Sequence, residues 1–300
     1  MSFDPDLVLG VDITSVCAFS VVEVAFASAV VTGDFKDIMA EFHVGDVVTA
    51  LSVTLMVCGF GIGPLFWSPL VSITFFLTHI RTNQSLQSEL YGRQLLWIFP
   101  SFVYVIFIIP CAVAKNIQTL LICRFFCGIF ASAPLTLAGG TISDIWDNEE
   151  RGFAIALFAA APYGGPVLGP IVGGFVGETV GWRWIFWVSM IFAGVMALLK
   201  CTVPETYAPV ILKRRARKLR KETGDPNIVT EQELFKVPLS QMLVDTLIRP
   251  FGMLATEPIL LLLSLYIALI YGLLVSFSAR FSWLPMLTSL RSTHFSSVIQ

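Results

Sequence analysis

Residues 158–184 read FAAAPYGGPVLGPIVGGFVGETVGWRW. Gly165, Gly169 and Gly173 recur every four residues, so they line one face of a helix. A stripe without side chains lets a neighbouring backbone approach closely. Pro166 and Pro170 fall between these glycines. Each removes a backbone donor and bends the helix. A phosphate-binding loop does not fit, because no Lys-Ser/Thr follows the glycines and no strand precedes them. The stretch reads as a membrane helix made for close packing, and the rest of the chain is read outward from it.

The 300-residue chain is 56% hydrophobic and 13% charged, with 25 Phe and a mean hydropathy of +0.79. A soluble domain carries about a quarter charged residues. That contrast excludes an ordinary cytosolic globule and a disordered chain. Apolar runs fall at 8–31, 47–70, 95–113, 119–142, 152–176, 184–201 and 258–274. Each is long enough to span a bilayer at roughly 20 residues per crossing. Each must be helical there, since an unpaired amide in lipid costs several kcal/mol. The fold class expected is an all-α membrane protein. Its organisation is a six-helix bundle over 1–201, a cytoplasmic central loop over 202–257, a seventh helix over 258–274 and an aberrant tail over 275–300.

The basic residues set the orientation. Arg81, Arg93, Arg151, Lys213, Arg214, Arg215, Arg217, Lys218, Arg220, Lys221, Lys236 and Arg249 fall on one side of the spans. Only Lys36, Lys115 and Arg183 fall on the other. By the positive-inside rule the N-terminus is cytoplasmic. The bias rests on ILKRRARKLRK, 211–221, just past the sixth run, which reads as an anchor near acidic lipid headgroups. It does not read as a nucleic-acid patch. The acidic start, MSFDPDLVLG, lacks the basic n-region of a signal peptide.

Two charges stand inside apolar runs. Arg124, in LLICRFFCGIF, costs at least about 2.5–3.5 kcal/mol to insert. It needs an acid, a carbonyl or a water-filled cavity, and serves either coupling or a structural clamp. Glu23 lies midway along the first run. It can carry a proton, pair with Arg124 or face a cavity without titrating. Asp12 falls nearer the interface. In SELYGRQ, 88–94, Glu89 and Arg93 are four apart around Gly92, and Asp144 past the fourth run is a partner for Arg93 in a helix-to-helix latch. All six cysteines lie in or beside apolar runs and read as packing residues. No metal and no cofactor is expected. His43, His79 and His294 lie outside the runs, and no nucleophile stands with a base, so no enzyme is expected.

GFGIGPLFWSPL (59–70), SELYGRQ, RFFCGIFASAPLTLAGGTISDIW (124–146), GGPVLGPIVGGFVGETVGWRWIFWV (164–188), VPETYAPVILKRRARKL (203–219) and RPFGMLATEPILLLLSLYIALIYGLL (249–274) follow one another in order. Together they resemble the major facilitator superfamily, and within it the fungal twelve-span drug:proton antiporters that export drugs and polyamines. The resemblance covers most of 13–274. It implies that Gly165, Pro166, Gly169, Pro170, Gly173 and Gly174 form the antiporter signature of the fifth helix. Glu89, Gly92 and Arg93 fall in the loop signature between helices two and three, with Gln94 where a base is usual. Arg124 matches the fourth-helix arginine linked to proton coupling. Partners implied are a small-molecule substrate, protons and the lipid of the plasma membrane.

Two segments depart from that pattern. VSITFFLTHIRTNQSLQ, 71–87, separates the Pro69–Leu70 pair from Ser88–Glu89. Its ends can be encoded as a splice donor and acceptor, so it reads as a translated intron. After 272–274 the tail turns Ser-rich, beginning with a second Val-Ser. The chain is thus expected to be one half of a transporter plus a stranded seventh helix, inactive alone. The rival expectation is a non-transporting half-length membrane protein acting as regulator or sensor.

Overall fold

The computed structural model describes residues 5–80, 93–147, 149–206, 208–223 and 239–281, and these are helical with no strand among them. Helix α1, Pro5–Ala29, passes through a 3-10 turn, Val30–Asp34, into α2, Phe35–Phe42. Then come α3, Asp46–Ile80, α4, Arg93–Ala112, α5, Ile117–Ile145, α6, Arg151–Val180, and α7, Trp182–Thr202. A basic helix α8, Ala208–Thr223, follows, with α9, Leu239–Thr256, and α10, Pro258–Phe281.

Among the described residues seven segments are long and apolar enough to cross a membrane: Gly10–Phe42, Asp46–Leu70, Gln94–Ala112, Ile117–Ile145, Arg151–Val180, Trp182–Thr202 and Pro258–Phe277. These match the seven apolar runs, but the fifth and seventh run on past 176 and 274, the last as helix to Phe281 instead of breaking there, and the first differs most. The first segment runs past residue 31, because the 3-10 turn tightens the chain without ending it. Lys36, Asp37 and Glu41 in α2 mark the point where it reaches polar surroundings. His43 then ends α2 in the left-handed conformation (φ 55°).

The prolines do not break the helices. α6 runs unbroken through Pro162, Pro166 and Pro170, and α5 through Pro134. Neighbouring helices can satisfy the carbonyls that a missing N–H frees. The short connections lay consecutive spans antiparallel. α1 and its 3-10 continuation pack along α6, α3 along α5, and α4 between α5 and α7. α1 also touches α5 and α7, so it runs through the middle of the bundle. The principal core joins Val24, Ala27, Val30, Met56, Tyr104, Leu120, Ile185 and Phe186. Phe19, Phe66, Ile106, Phe175 and Leu198 are exposed, as suits a face turned to lipid. α10 lies against α6 at the bundle's edge, and Leu260–Leu263, Leu265, Tyr266 and Leu269 are all exposed.

Residues 71–80 continue α3 as helix beyond Leu70. The remainder of 71–87 and the tail past residue 281 lie outside the described residues.

Candidate functional site

The glycine stripe of α6 faces α1. A Cβ added at Gly165 would stand 2.5 Å from the Ala25 Cβ and the Phe26 amide nitrogen. At Gly169 it would meet Ala29 and Val30 at 2.9–3.0 Å, and at Gly173 it would strike the Val30 carbonyl. The seam continues to Gly177, whose missing side chain leaves room for Asp34. Gly33, on the 3-10 turn, returns the fit by abutting the backbone of Gly173 and Gly174. A Cβ added at Gly174 would have only the Gly33 carbonyl within 4 Å, at 3.9 Å, so Gly174 flanks the stripe. Pro166 and Pro170 are buried beside the same seam. Two helices touching backbone to backbone have few side-chain knobs holding their register.

A second close approach joins α3 and α5. A Cβ at Gly59 would lie 2.8 Å from the Gly128 Cα, and Gly63 sits over Ser132. The Trp67 indole donates to the Ile129 carbonyl at 2.7 Å. The sequence reading missed this contact. Its signal, small residues four apart at 59 and 63 facing 128 and 132, needs both helices seen together.

Arg124 on α5 is buried, 3% exposed. Its Nη1 donates to the Ala27 carbonyl of α1 at 2.7 Å and touches the Met56 sulfur at 2.8 Å. The guanidinium carbon lies 4.9 Å from the Phe186 ring centre of α7. Nε and Nη2 have no partner within hydrogen-bond distance. Arg124 lines a small cavity together with Met56, Tyr104 and Ser189. Of the partners the sequence left open, the carbonyl is the one that accepts a hydrogen bond.

Glu23 is buried on α1, 2% exposed, one turn before Ala27. Tyr104 of α4 and Lys200 of α7 are near enough to act on its charge. Its Oε1 and the Tyr104 hydroxyl are buried without a formed hydrogen bond. Lys200 is also buried, 3% exposed. Its Nζ donates to Ser101 Oγ at 2.8 Å and lies 5.8 Å from the Trp97 ring centre. A polar column thus crosses the apolar bundle: Lys200, Ser101, Glu23, Tyr104, Arg124, from α7, α4, α1 and α5. Lys200 escaped the sequence reading because a lysine near a span's end is ordinarily read as reaching for the interface.

The two ends of the bundle are tied differently. At one, Glu41 accepts from the Trp182 indole at 2.7 Å and from Arg183 Nη1 at 2.7 Å, and Arg183 Nη2 reaches the Ala114 carbonyl at 3.3 Å. At the other, the Trp146 indole donates to Thr14 at 2.7 Å. Arg151 Nη2 caps the end of α5 through the Ser143 carbonyl at 3.0 Å. Gln94 binds the segment after α7, its amide to Glu205 at 3.1 Å and its side chain to the Val203 carbonyl at 2.8 Å. Asp144 stands in the last turn of α5. Glu89, Gly92 and the Arg93 side chain, its expected companions in the latch, lie outside the described residues.

The family model of the Major Facilitator Superfamily matches residues 17–299. Polyamine transporter 3 of Saccharomyces cerevisiae is 46% identical over 259 residues, covering 86% of this chain and 39% of that protein. The multidrug transporter TPO3 of Candida glabrata is 47% identical over 259 residues, covering 86% and 38%. The multidrug transporter mdrA of Aspergillus fumigatus is 44% identical over 273 residues, covering 87% and 41%. The chain spans less than half the length of these relatives. A solved proton:xylose symporter matches in fold with a TM-score of 0.55, at 17% identity over 86% of this chain and 57% of that one.

Proposed function

The chain is a member of the major facilitator superfamily, and we propose that its six-helix bundle is the proton-responsive half of an exporter of polyamines, drugs or similar small molecules. The observation that carries this reading is the Arg124–Ala27 clamp, set one turn from the buried carboxylate of Glu23 on the same helix. Transporters of this fold alternate access by rocking two such bundles about a site at the bilayer midplane. The relatives named for polyamines and drugs point to the substrate class.

In this reading Glu23 takes up a proton that enters as substrate leaves. Neutralising Glu23 changes the charge balance of the column, which Arg124 and Lys200 share. Arg124, held to the α1 backbone, passes the change to α5. The glycine seam lets α6 shift against α1 without unlocking side chains, and Pro166 and Pro170 lower the cost of bending it. The N-terminus and the basic helix α8 lie on the cytoplasmic side of the plasma membrane, where α8 meets anionic headgroups. The division proposed is the bundle over 1–201, the loop over 202–257 and the seventh helix from 258, which α10 carries past residue 274 to Phe281.

Reconstitution tests this reading. Vesicles holding this chain alone are expected to show no gradient-driven efflux of spermidine. Vesicles holding a version without 71–87, joined to a second six-helix half, are expected to show it. Equal activity in the two would overturn the view that the bundle acts as a half.

A further inference from the structure

The loop between the sixth and seventh spans holds a helix whose surface does not suit water. α9, Leu239–Thr256, packs along α3. Leu247 and Leu254 are half-buried, and their spacing returns them to one face, which marks the protein side of the helix. Val244, Ile248 and Phe251 stand at i, i+4 and i+7 on the adjoining face and are 50%, 62% and 58% exposed. Arg249, Gly252 and Thr256 occupy the next face round and are exposed as well. Around the axis the order is protein side, apolar stripe, polar stripe. A loop helix bathed in water carries polar residues where α9 carries Val, Ile and Phe. A helix lying flat on a membrane shows the order seen in α9, its apolar stripe sunk into the boundary between headgroups and acyl chains.

The path of the chain says what covers the stripe. Glu257 alone separates α9 from α10, whose span opens at Pro258. Its amide donates to the Met253 carbonyl at 2.9 Å, and its own carbonyl accepts from the Leu260 and Leu261 amides at 3.1 and 3.2 Å. A link bonded on both sides leaves no slack to carry α9 away from the bilayer. Apolar exposure also continues across it, from Phe251 and Met253 to Ile259 and Leu262. The stripe of α9 is thus continuous with the outer face of a span at the bundle's edge. The basic stretch of α8, 211–221, leaves α7 on the same side of the spans from which α10 enters, so positive charge flanks α9 there and suits anionic headgroups.

We propose that α9 is a membrane-surface helix: Val244, Ile248 and Phe251 sit among the acyl chains of the leaflet, and Arg249 turns to the lipid phosphates. The occupant of the stripe is lipid, and the central loop is held down beside the first turn of the seventh span. That the leaflet is the cytoplasmic one rests on the orientation proposed above.

Nitroxide labels test this in nanodiscs of mixed zwitterionic and anionic lipid, each holding one copy of the 300-residue chain. Ile248→Cys, Phe251→Cys, Arg249→Cys and Thr256→Cys, each made singly in a cysteine-free background, place the label at exposed positions. Oxygen collects in the acyl region and a neutral nickel chelate stays in water, so power saturation of each label reads its depth. Labels at 248 and 251 are expected to favour oxygen over nickel several-fold more than labels at 249 and 256. Equal access of nickel to all four would put α9 in water and overturn the proposal. Labels at 248 and 251 shut off from both reagents would reveal a protein cover, either a second copy or the remainder of a longer chain, and would overturn it too. The same shielding seen only in a full-length twelve-helix protein would count equally against it. No transport is needed for this reading, so a full-length protein that fails to export would sink the transport proposal and leave the seat of α9 standing.

Discussion

Arg124 Nη1 stands 2.7 Å from the carbonyl oxygen of Ala27, four residues past Glu23 along α1. A cation that could have bound a carboxylate directly binds the backbone beside it. The clamp therefore survives a change in the charge of Glu23, which a direct ion pair would not.

Arg124 should matter more to transport than to folding. Two of its nitrogens have no hydrogen-bond partner, and replacing a poorly satisfied buried charge with an apolar side chain is often neutral or stabilising. Arg124→Met is expected to keep the thermal unfolding midpoint of this chain within a few degrees of the parent and, within a full-length twelve-helix protein, to lower gradient-driven efflux by at least about tenfold. A large fall in the midpoint would show that the arginine is chiefly structural.

The glycine seam predicts an asymmetric response. Gly165→Ala and Gly173→Ala push a methyl into the α1 backbone and should destabilise by about 1–3 kcal/mol. Gly164→Ala, facing open space, should be neutral. Denaturation of the three variants in micelles checks this, and equal losses would place the stripe elsewhere.

The Glu41–Arg183 contact is half exposed, at 40% and 41%. Such pairs contribute about 1 kcal/mol or less and weaken with salt. Arg183→Ala should lower stability by no more than about that amount at low salt, with the difference shrinking at high salt. A salt-independent loss would point instead to the lost stacking on Trp182, whose ring centre lies 4.4 Å from the guanidinium carbon.

Orientation is open to labelling. In a cysteine-free background, cysteines placed at Lys115 and Asp147 should react with an impermeant reagent from opposite sides. Lys115 should react in intact cells and Asp147 only after permeabilisation. The reverse pattern would invert the proposed topology.

The spans and the glycine face were readable along the chain because both are periodic signals carried by single helices. Gly165, Gly169 and Gly173 share one face whatever they pack on. What they pack on was hidden, since Gly33 lies beyond the end of the first apolar run, in a 3-10 turn that its charged neighbours made look like a loop. The burial of Arg124 followed from its place among apolar residues, whereas its partner depended on how α1 and α5 face one another. Lys200 shows the limit plainly. Two residues from the end of α7, it could have turned to water, and only the placing of Ser101 and Trp97 turns it inward.

The most direct test of proton coupling is a pH-jump assay in proteoliposomes holding this bundle within a full-length twelve-helix protein. Spermidine efflux should accelerate when a proton gradient is imposed, while Glu23→Gln should move substrate down its own gradient at a rate the pH jump does not change. If Glu23→Gln responds to the jump as fully as the parent, Glu23 carries no proton in the cycle and the coupling assigned to this bundle is wrong.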